Sequence, residues 1–391
     1  MIVIVYLYVL ILLNCKVSLS VDRCNTYSDL TVPLLTALDL PIADNTSGVY
    51  NIFQTLSSTP DVKLEHGDRG DCYRWKCKSP KKKGRDCQYC LPFVFVAGFS
   101  KCGTTALCSK LSLHPRIKPY RKKEINIFTK FFDEFSWAEF EKRVVDTHPN
   151  VTGDLWLDCT ASAFRDYNAA VHLLQYSPRT KLIFMVRDPW QRLGSWIEMN
   201  KRQKPKDSYR RYNYEWKALL REHQAGRRNR FTREVVTTLA TAKYIGSFLY
   251  AEVLLLWRVA FGEDRILVLD HHSLENDPQR TMRRVEEFLG IAPHDYDMSQ
   301  LLSLSVNTRF TSLKERGALE GIEAGDDRDS APLASVKTSI VHRNMSSRIH
   351  APYEIEDKQI LAMTRKLFWP SLCLFEKIYK WRVKIVTSSE L

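Results

Sequence analysis

Residues 94–107 read Val-Phe-Val-Ala-Gly-Phe-Ser-Lys-Cys-Gly-Thr-Thr-Ala-Leu, and no other stretch constrains the fold of this chain as much. An apolar strand over 93–97 runs into a tight Gly-containing turn, and a helix opens at Thr104 and Thr105. Such a turn builds a cradle for an anion. Glycine lets the backbone approach closely, successive N–H groups point inward, and the helix N-terminus adds positive potential. Gly98 and Gly103 have the G-x-x-x-x-G spacing of a nucleotide-binding P-loop, but Thr104 stands where that motif needs lysine. The lysine comes earlier, at Lys101, inside the turn. The cradle is therefore expected to take a phosphate-like group, with its cation offset from the kinase position.

A second apolar strand, 181–186, ends in Arg187-Asp188-Pro189, and Ser195 follows one or two helical turns later. A fixed guanidinium and a hydroxyl together suit a terminal phosphate. The two segments, in this order and about 85 residues apart, resemble the 5′-phosphosulfate loop and the R-D-P-x-x-R-x-x-S 3′-phosphate motif of the sulfotransferases. The resemblance implies 3′-phosphoadenosine 5′-phosphosulfate as co-substrate. Lys101, Cys102, Gly103, Thr104 and Thr105 would then hold its 5′ end, and Arg187 and Ser195 its 3′-phosphate. No metal is implied, because lysine and the helix terminus supply the positive charge.

After the first helix the chain reads Arg121-Lys122-Lys123-Glu124-Ile125-Asn126-Ile127-Phe128. Golgi carbohydrate sulfotransferases carry a Lys-Glu pair here, typically followed by Pro-His and two aromatics, and Lys123-Glu124 is similar to it. The resemblance makes Glu124 the general base, with Lys123 tuning it. A sugar hydroxyl is very weakly acidic, so its attack gains from a carboxylate that removes the proton as the bond forms. On the residues alone, an ordinary surface glutamate after three basic residues is the better reading, and the position of Glu124 relative to the loop reverses it. Ile125, Asn126 and Ile127 depart from the family pattern, so these side chains are expected to rank the acceptors. The segment 153–163 resembles the family's turn beside the acceptor, with Asp158 and Ser162 acceptor candidates, Ser162 also a cofactor candidate and Asp158 also the next base candidate. The stretch 341–370 resembles its closing loop, where Arg343 or Arg348 would cover the nucleotide. Within the family, Cys90-Leu91-Pro92 and the 101–105 loop are most similar to the N-acetylgalactosamine 4-sulfate 6-O-sulfotransferases. The implied acceptor is a hydroxyl of a glycosaminoglycan such as chondroitin sulfate.

Composition agrees with a polyanionic partner: 391 residues carry a formal net charge of +13. Residues 201–233 hold twelve Lys or Arg, interleaved with Tyr209, Tyr212, Tyr214 and Trp216. This is either a solvated helix face or a groove for a charged sugar chain. Thirteen apolar residues open the chain, which fits a signal-peptide core or a signal-anchor continuing to Val21. Either sends the rest into the secretory lumen, and the family into the Golgi as a type II membrane protein. Sequons at Asn45, Asn150 and Asn344 suit that compartment. So does the cluster Cys72, Cys77, Cys87 and Cys90, which a lumenal address turns towards disulfides rather than zinc. Cys102 and Cys108 flank the loop and read as buried small residues.

Strands are expected at 93–97, 153–158, 181–186 and 265–269, and helices at 104–113, 137–145, 169–174, 244–261 and 279–289. Short apolar strands alternating with amphipathic helices specify an α/β fold, a P-loop-like doubly wound parallel sheet flanked by helices. The expected layout is a leader over 1–20, a lumenal stem with a Cys-rich collar over 21–90, and the main domain over 91–391. Residues 311–336 read as a polar surface insertion. Two other functions fit parts of the chain. A P-loop kinase fits the loop but not its lysine, and a catalytically silent glycan-binding protein fits the altered segment after Glu124.

Overall fold

The computed structural model describes residues 51–78, 84–120, 123–129, 132, 137–144, 155–203, 250–304 and positions 371, 372, 375, 376 and 379. The leader, the three sequons at Asn45, Asn150 and Asn344, the polar stretch 311–336 and the closing loop with Arg343 and Arg348 lie outside these residues. Nearly all of the basic stretch 201–233 does too. The described residues open with helix α1 (Ile52–Ser58) and strands β1 (Lys63–Glu65), β2 (Cys72–Lys76) and β3 (Asp86–Cys90). Then come β4 (Val94–Gly98), α2 (Thr104–Leu111), β5 (Ile117–Pro119), α3 (Trp137–Val144), β6 (Leu155–Asp158) and α4 (Tyr167–Tyr176). The remainder runs β7 (Lys181–Val186), α5 (Pro189–Gln203), α6 (Tyr250–Phe261), β8 (Ile266–Asp270), α7 (His271–Asn276), α8 (Pro278–Leu289) and α9 (Met298–Ser303).

Five strands form one sheet in the order β5-β6-β4-β7-β8, and every neighbouring pair is parallel. Parallel neighbours need crossovers, and the helices between the strands supply them. All five residues of β4 and the last five of β7 are buried. Strands covered on both faces have no polar side to show, which is why both read as unbroken apolar runs. β5 escaped the sequence reading because it is a three-residue edge strand ending in proline, which cannot donate to a ladder. The sheet places the site. From β4 the chain crosses through α2 to β5 and returns to β6 on one side, then passes to β7 on the other. The carboxyl ends of β6, β4 and β7 therefore flank a switch point, where ligands of such sheets bind.

Of the segment expected as a stem and collar, the described residues 51–78 and 84–90 share one hydrophobic core with this sheet. Asn51 caps α1, accepting from the N–H groups of Phe53 and Gln54, while the Gln54 side chain accepts from the Asn51 N–H. Phe53 is fully buried and stacks on Tyr176 at 4.4 Å and Phe128 at 5.3 Å between ring centroids. Strands β1, β2 and β3 form an antiparallel sheet, with Cys72 opposite Cys90 and Trp75 opposite Cys87. Disulfides join Cys72 to Cys90 and Cys77 to Cys87. Trp75 is buried and donates to Glu141 of α3 at 2.9 Å. Aromatic side chains at 53, 73 and 75 need a large apolar surface to cover them; Phe128, Phe132 and Tyr176 cover Phe53, and Trp137 and Phe140 of α3 cover Trp75, within one buried cluster that includes the main sheet.

Cys108 requires a correction. It is bonded to Cys159, tying α2 to the residue that follows β6. Cys102 is the one free cysteine among the described residues, and it is buried.

Candidate active site

The loop after β4 is held in a conformation that few side chains adopt. Lys101 has φ 70° and Gly103 φ 85°, both left-handed. For Lys101 this costs on the order of 1 kcal/mol or more, which surrounding contacts must offset. Gly103 is required twice over: its φ disfavours a side chain, and a Cβ there would lie 2.5 Å from Cδ2 of His271. Gly103 also precedes α2 without any side-chain cap, so the first N–H groups of α2 are left for an anion. Thr104 is buried and Thr105 exposed, so Thr105 is the hydroxyl that faces outward. Cys102 points away from the cradle. Its N–H donates to the Phe99 carbonyl at 3.1 Å and its thiol packs beside Tyr250. Burial pushes that thiol up, so it stays protonated. Among 101–105, Cys102 thus supports the cradle from beneath.

On one flank lies the segment after β5. Lys123 Nζ donates to Thr105 Oγ1 and sits 3.9 Å from Glu124 Oε1. Burial pushes the Lys123 ammonium down and the Glu124 carboxylate pulls it back up. Glu124 and Asn126 have φ of 58° and 61°, a reversal that asparagine tolerates better than most residues. Asn126 Nδ2 donates to the Glu124 carbonyl, and its N–H to Thr160 Oγ1 at 3.3 Å. Ser162 Oγ donates to Glu124 Oε2 at 2.9 Å, so Ser162 is brought to Glu124 as expected of one site. Ile125 and Ile127 are at most 1% exposed. They are core residues and cannot rank acceptors by contact, contrary to expectation.

Asp158 is also misplaced by the sequence reading as an acceptor contact. It is 1% exposed, at the carboxyl end of β6 beneath Glu124. Its Oδ1 accepts from Thr160 Oγ1 at 2.6 Å and its Oδ2 has no partner among the described residues. Burial pushes its pKa up to about 7; the Thr160 bond pulls it down and the charge of Glu124 pushes further up.

On the other flank, β7 delivers Arg187. Asp188 Oδ1 accepts from the N–H groups of Trp190 at 2.8 Å and Gln191 at 3.0 Å, so the Asp-Pro of the motif starts α5. Arg187 Nε donates to Gln191 Oε1 at 3.2 Å. Ser195 is half-buried four residues further along α5, on the Gln191 face. Arg187 and Gln191 line a small pocket, open to solvent, with Asp270, His271, His272 and Glu275. His271 closes the gap between this pocket and the loop, with its Nδ1 held 3.2 Å from Glu275 Oε2. The sequence reading missed Gln191, His271 and Thr160. Gln191 stood inside the quoted motif and Thr160 inside the 153–163 segment; His271 arrives after β8 and leaves no local signal.

A parallel α/β sheet with a strand–loop–helix anion cradle at its switch point, an arginine at the next strand's end and a carboxylate across the loop defines a nucleotide-dependent transferase class. The chain belongs to the sulfotransferase domain family, whose model matches residues 91–330. It is 25% identical over 350 residues to the bifunctional heparan sulfate N-deacetylase/N-sulfotransferase 4 of Mus musculus, covering 84% of this chain and 38% of that protein. Heparan sulfate glucosamine 3-O-sulfotransferase 3B1 of Mus musculus is 27% identical over 203 residues, 51% of this chain and 46% of that one. Carbohydrate sulfotransferase 15 of Mus musculus is 24% identical over 271 residues, 56% of this chain and 48% of that one. The chain thus spans less than half the length of each of these relatives.

Proposed function

We propose that this protein transfers a sulfuryl group from 3′-phosphoadenosine 5′-phosphosulfate to a glycosaminoglycan. The observation that carries the proposal is Lys123, which bonds Thr105 in the first turn of α2 and stands 3.9 Å from Glu124. An anion loop and a carboxylate base share one lysine, as a transfer between a loop-bound donor and an incoming hydroxyl requires. The residues fit the donor: uncapped N–H groups of α2 and Lys101 suit its 5′ end, and Arg187, oriented by Gln191, with Ser195 suits its 3′-phosphate. Lys101 neutralises charge on the leaving phosphate and on the moving group, whose transition state is expected to be loose and in line. Glu124 takes the acceptor's proton while Ser162 fixes its carboxylate. The sulfur–oxygen bond to the donor phosphate breaks as the bond to the acceptor forms, leaving 3′-phosphoadenosine 5′-phosphate.

The net charge of +13 suits a polyanionic acceptor. Two of the relatives are named for heparan sulfate. Cys90-Leu91-Pro92 and the 101–105 loop favour the galactosamine-type acceptor, chondroitin sulfate. Three disulfides support a place in the secretory lumen, for which we propose the Golgi. Incubation with donor carrying labelled sulfate, across heparan and chondroitin acceptors of defined sulfation, tests the reading. Label is expected in one glycan class. Tight binding of 3′-phosphoadenosine 5′-phosphate without transfer to any glycan would favour a silent glycan-binding protein. Failure to bind that nucleotide would refute the family role of the loop.

A further inference from the structure

Lys101 sits at φ 70°, and both of its neighbours are tied to the Arg187 side of the site. Before it, Ser100 offers its carbonyl to Arg192 Nε at 2.9 Å and its Oγ to Arg165 Nη2 at 2.9 Å. After it, the Cys102 thiol lies 3.6 Å from the Tyr250 hydroxyl, which donates to the Arg187 carbonyl at 2.8 Å. Burial pushes the Tyr250 phenol well above its ordinary range, so it keeps its proton. That single proton is committed to Arg187, so the thiol is the donor in the Cys102–Tyr250 contact. A relay thus runs from Cys102 through Tyr250 to the backbone of Arg187. Arg192 is 1% exposed, with its guanidinium about 5 Å from the ring centres of Phe99, Phe164 and Tyr250. It lies on α5, the helix that opens with the Arg187-Asp188-Pro189 turn, and its own N–H donates to the Asp188 carbonyl at 2.9 Å.

We propose that Arg192 and Tyr250 are positioning residues that join the 98–103 loop to the Arg187 strand end, so that the 5′ and 3′ ends of the nucleotide are bound cooperatively. This rests on the donor assignment above and adds a coupling that the donor assignment does not require. The left-handed Lys101 would relax if either neighbour were released, and its ammonium would no longer be fixed with respect to Arg187. Pre-organisation of this kind strengthens binding without any contact to the ligand. Lysine at 192 could not replace the arginine, because stacking among three rings while donating sideways needs a planar guanidinium.

Calorimetry with 3′-phosphoadenosine 5′-phosphate and with adenosine 5′-phosphate reads the coupling as a double-mutant cycle. The 3′-phosphate factor is the ratio of the two dissociation constants. In the otherwise unmodified protein, Lys101→Ala is expected to lower that factor at least fivefold, although Lys101 serves the other end. In Tyr250→Phe, which removes one oxygen and keeps the ring, and in Arg192→Lys, Lys101→Ala should leave the factor unchanged. Either background should also bind 3′-phosphoadenosine 5′-phosphate about tenfold more weakly. A merely structural role would lower the melting temperature of Tyr250→Phe and leave the fivefold effect intact, which overturns the proposal. So does a factor insensitive to Lys101→Ala in the unmodified protein that still binds the nucleotide. Absence of any nucleotide binding would overturn the donor assignment itself, and the coupling with it.

Discussion

The carboxyl of Asp158 should make the protein lose stability as pH rises, and Asp158→Asn should remove that loss. In the folded state its pKa is about 7. In an unfolded chain an aspartate titrates near 3.9. Between about pH 4 and pH 7 the folded form holds a proton that the unfolded form has released, so folding is favoured at low pH and progressively less so above. The slope is at most ~1.4 kcal/mol per pH unit, which over three units sets a ceiling near 4 kcal/mol. Water entry and local relaxation around a buried carboxylate reduce this to about 1–3 kcal/mol. For a domain of this size that corresponds to roughly 2–12 °C in melting temperature. Asp158→Asn keeps the oxygen that accepts from Thr160 at 2.6 Å and places an amide nitrogen at the unpartnered Oδ2. An unpaired amide there costs about 1–3 kcal/mol, but the same at every pH. The readout is therefore the difference in slope. Melting curves of both proteins between pH 5.5 and 8.5 should diverge, the natural protein falling relative to the variant up to about pH 7.5 and running parallel above it. Parallel curves across the whole range would refute a proton held on Asp158.

Lys101→Ala should lower sulfate transfer by two orders of magnitude or more, about 3 kcal/mol of transition-state stabilisation, with the melting temperature kept; unchanged transfer would remove the loop from the mechanism. Glu124→Gln should cut transfer by about 10²–10⁴-fold for every acceptor while calorimetry finds 3′-phosphoadenosine 5′-phosphate bound as before; intact turnover would mean that the Lys123–Glu124 pair is structural. Replacing Cys108 and Cys159 with serine removes a cross-link between residues 51 apart in sequence and should cost roughly 2–4 kcal/mol in urea titrations. If reductant leaves the urea midpoint of the natural protein unmoved, that bond contributes nothing to stability.

The centre of the sheet was legible because strands buried on both faces must be apolar throughout, and β4 and β7 are. The Gly103 turn was legible because only glycine satisfies both a φ of 85° and the approach of His271. The collar was less so. Four cysteines announced disulfides but not the antiparallel sheet that pairs Cys72 with Cys90. Asn51 and Gln54 formed a capping signature around Ile52 and Phe53, and the polar residues nearby disguised a short buried helix. Arg192 shows a deeper limit. Its place in the motif says nothing of burial, and only the rings of Phe99, Phe164 and Tyr250, from three distant segments, make it a buried strut.

The acceptor side shows why a motif can survive while its flanks change. β5 is separated from β4 by β6, so the segment following β5 must fold back across the end of β6 for Glu124 to reach the loop. Tyr120 begins the return with its N–H on the Leu157 carbonyl at 3.2 Å, Asn126 continues it on Thr160, and Lys123 closes it on Thr105. The left-handed residues at 124 and 126 make the reversal, and the two isoleucines beside Asn126 anchor it in the core. A proline at 125 would remove a side chain from that core, and its preference for an extended preceding residue would oppose the left-handed Glu124. The departure from the Pro-His pattern thus goes with a left-handed turn at Glu124 and with isoleucines buried on either side of Asn126. Under the proposed function, contacts to a glycan would fall to side chains that reach solvent, because Ile125 and Ile127 do not.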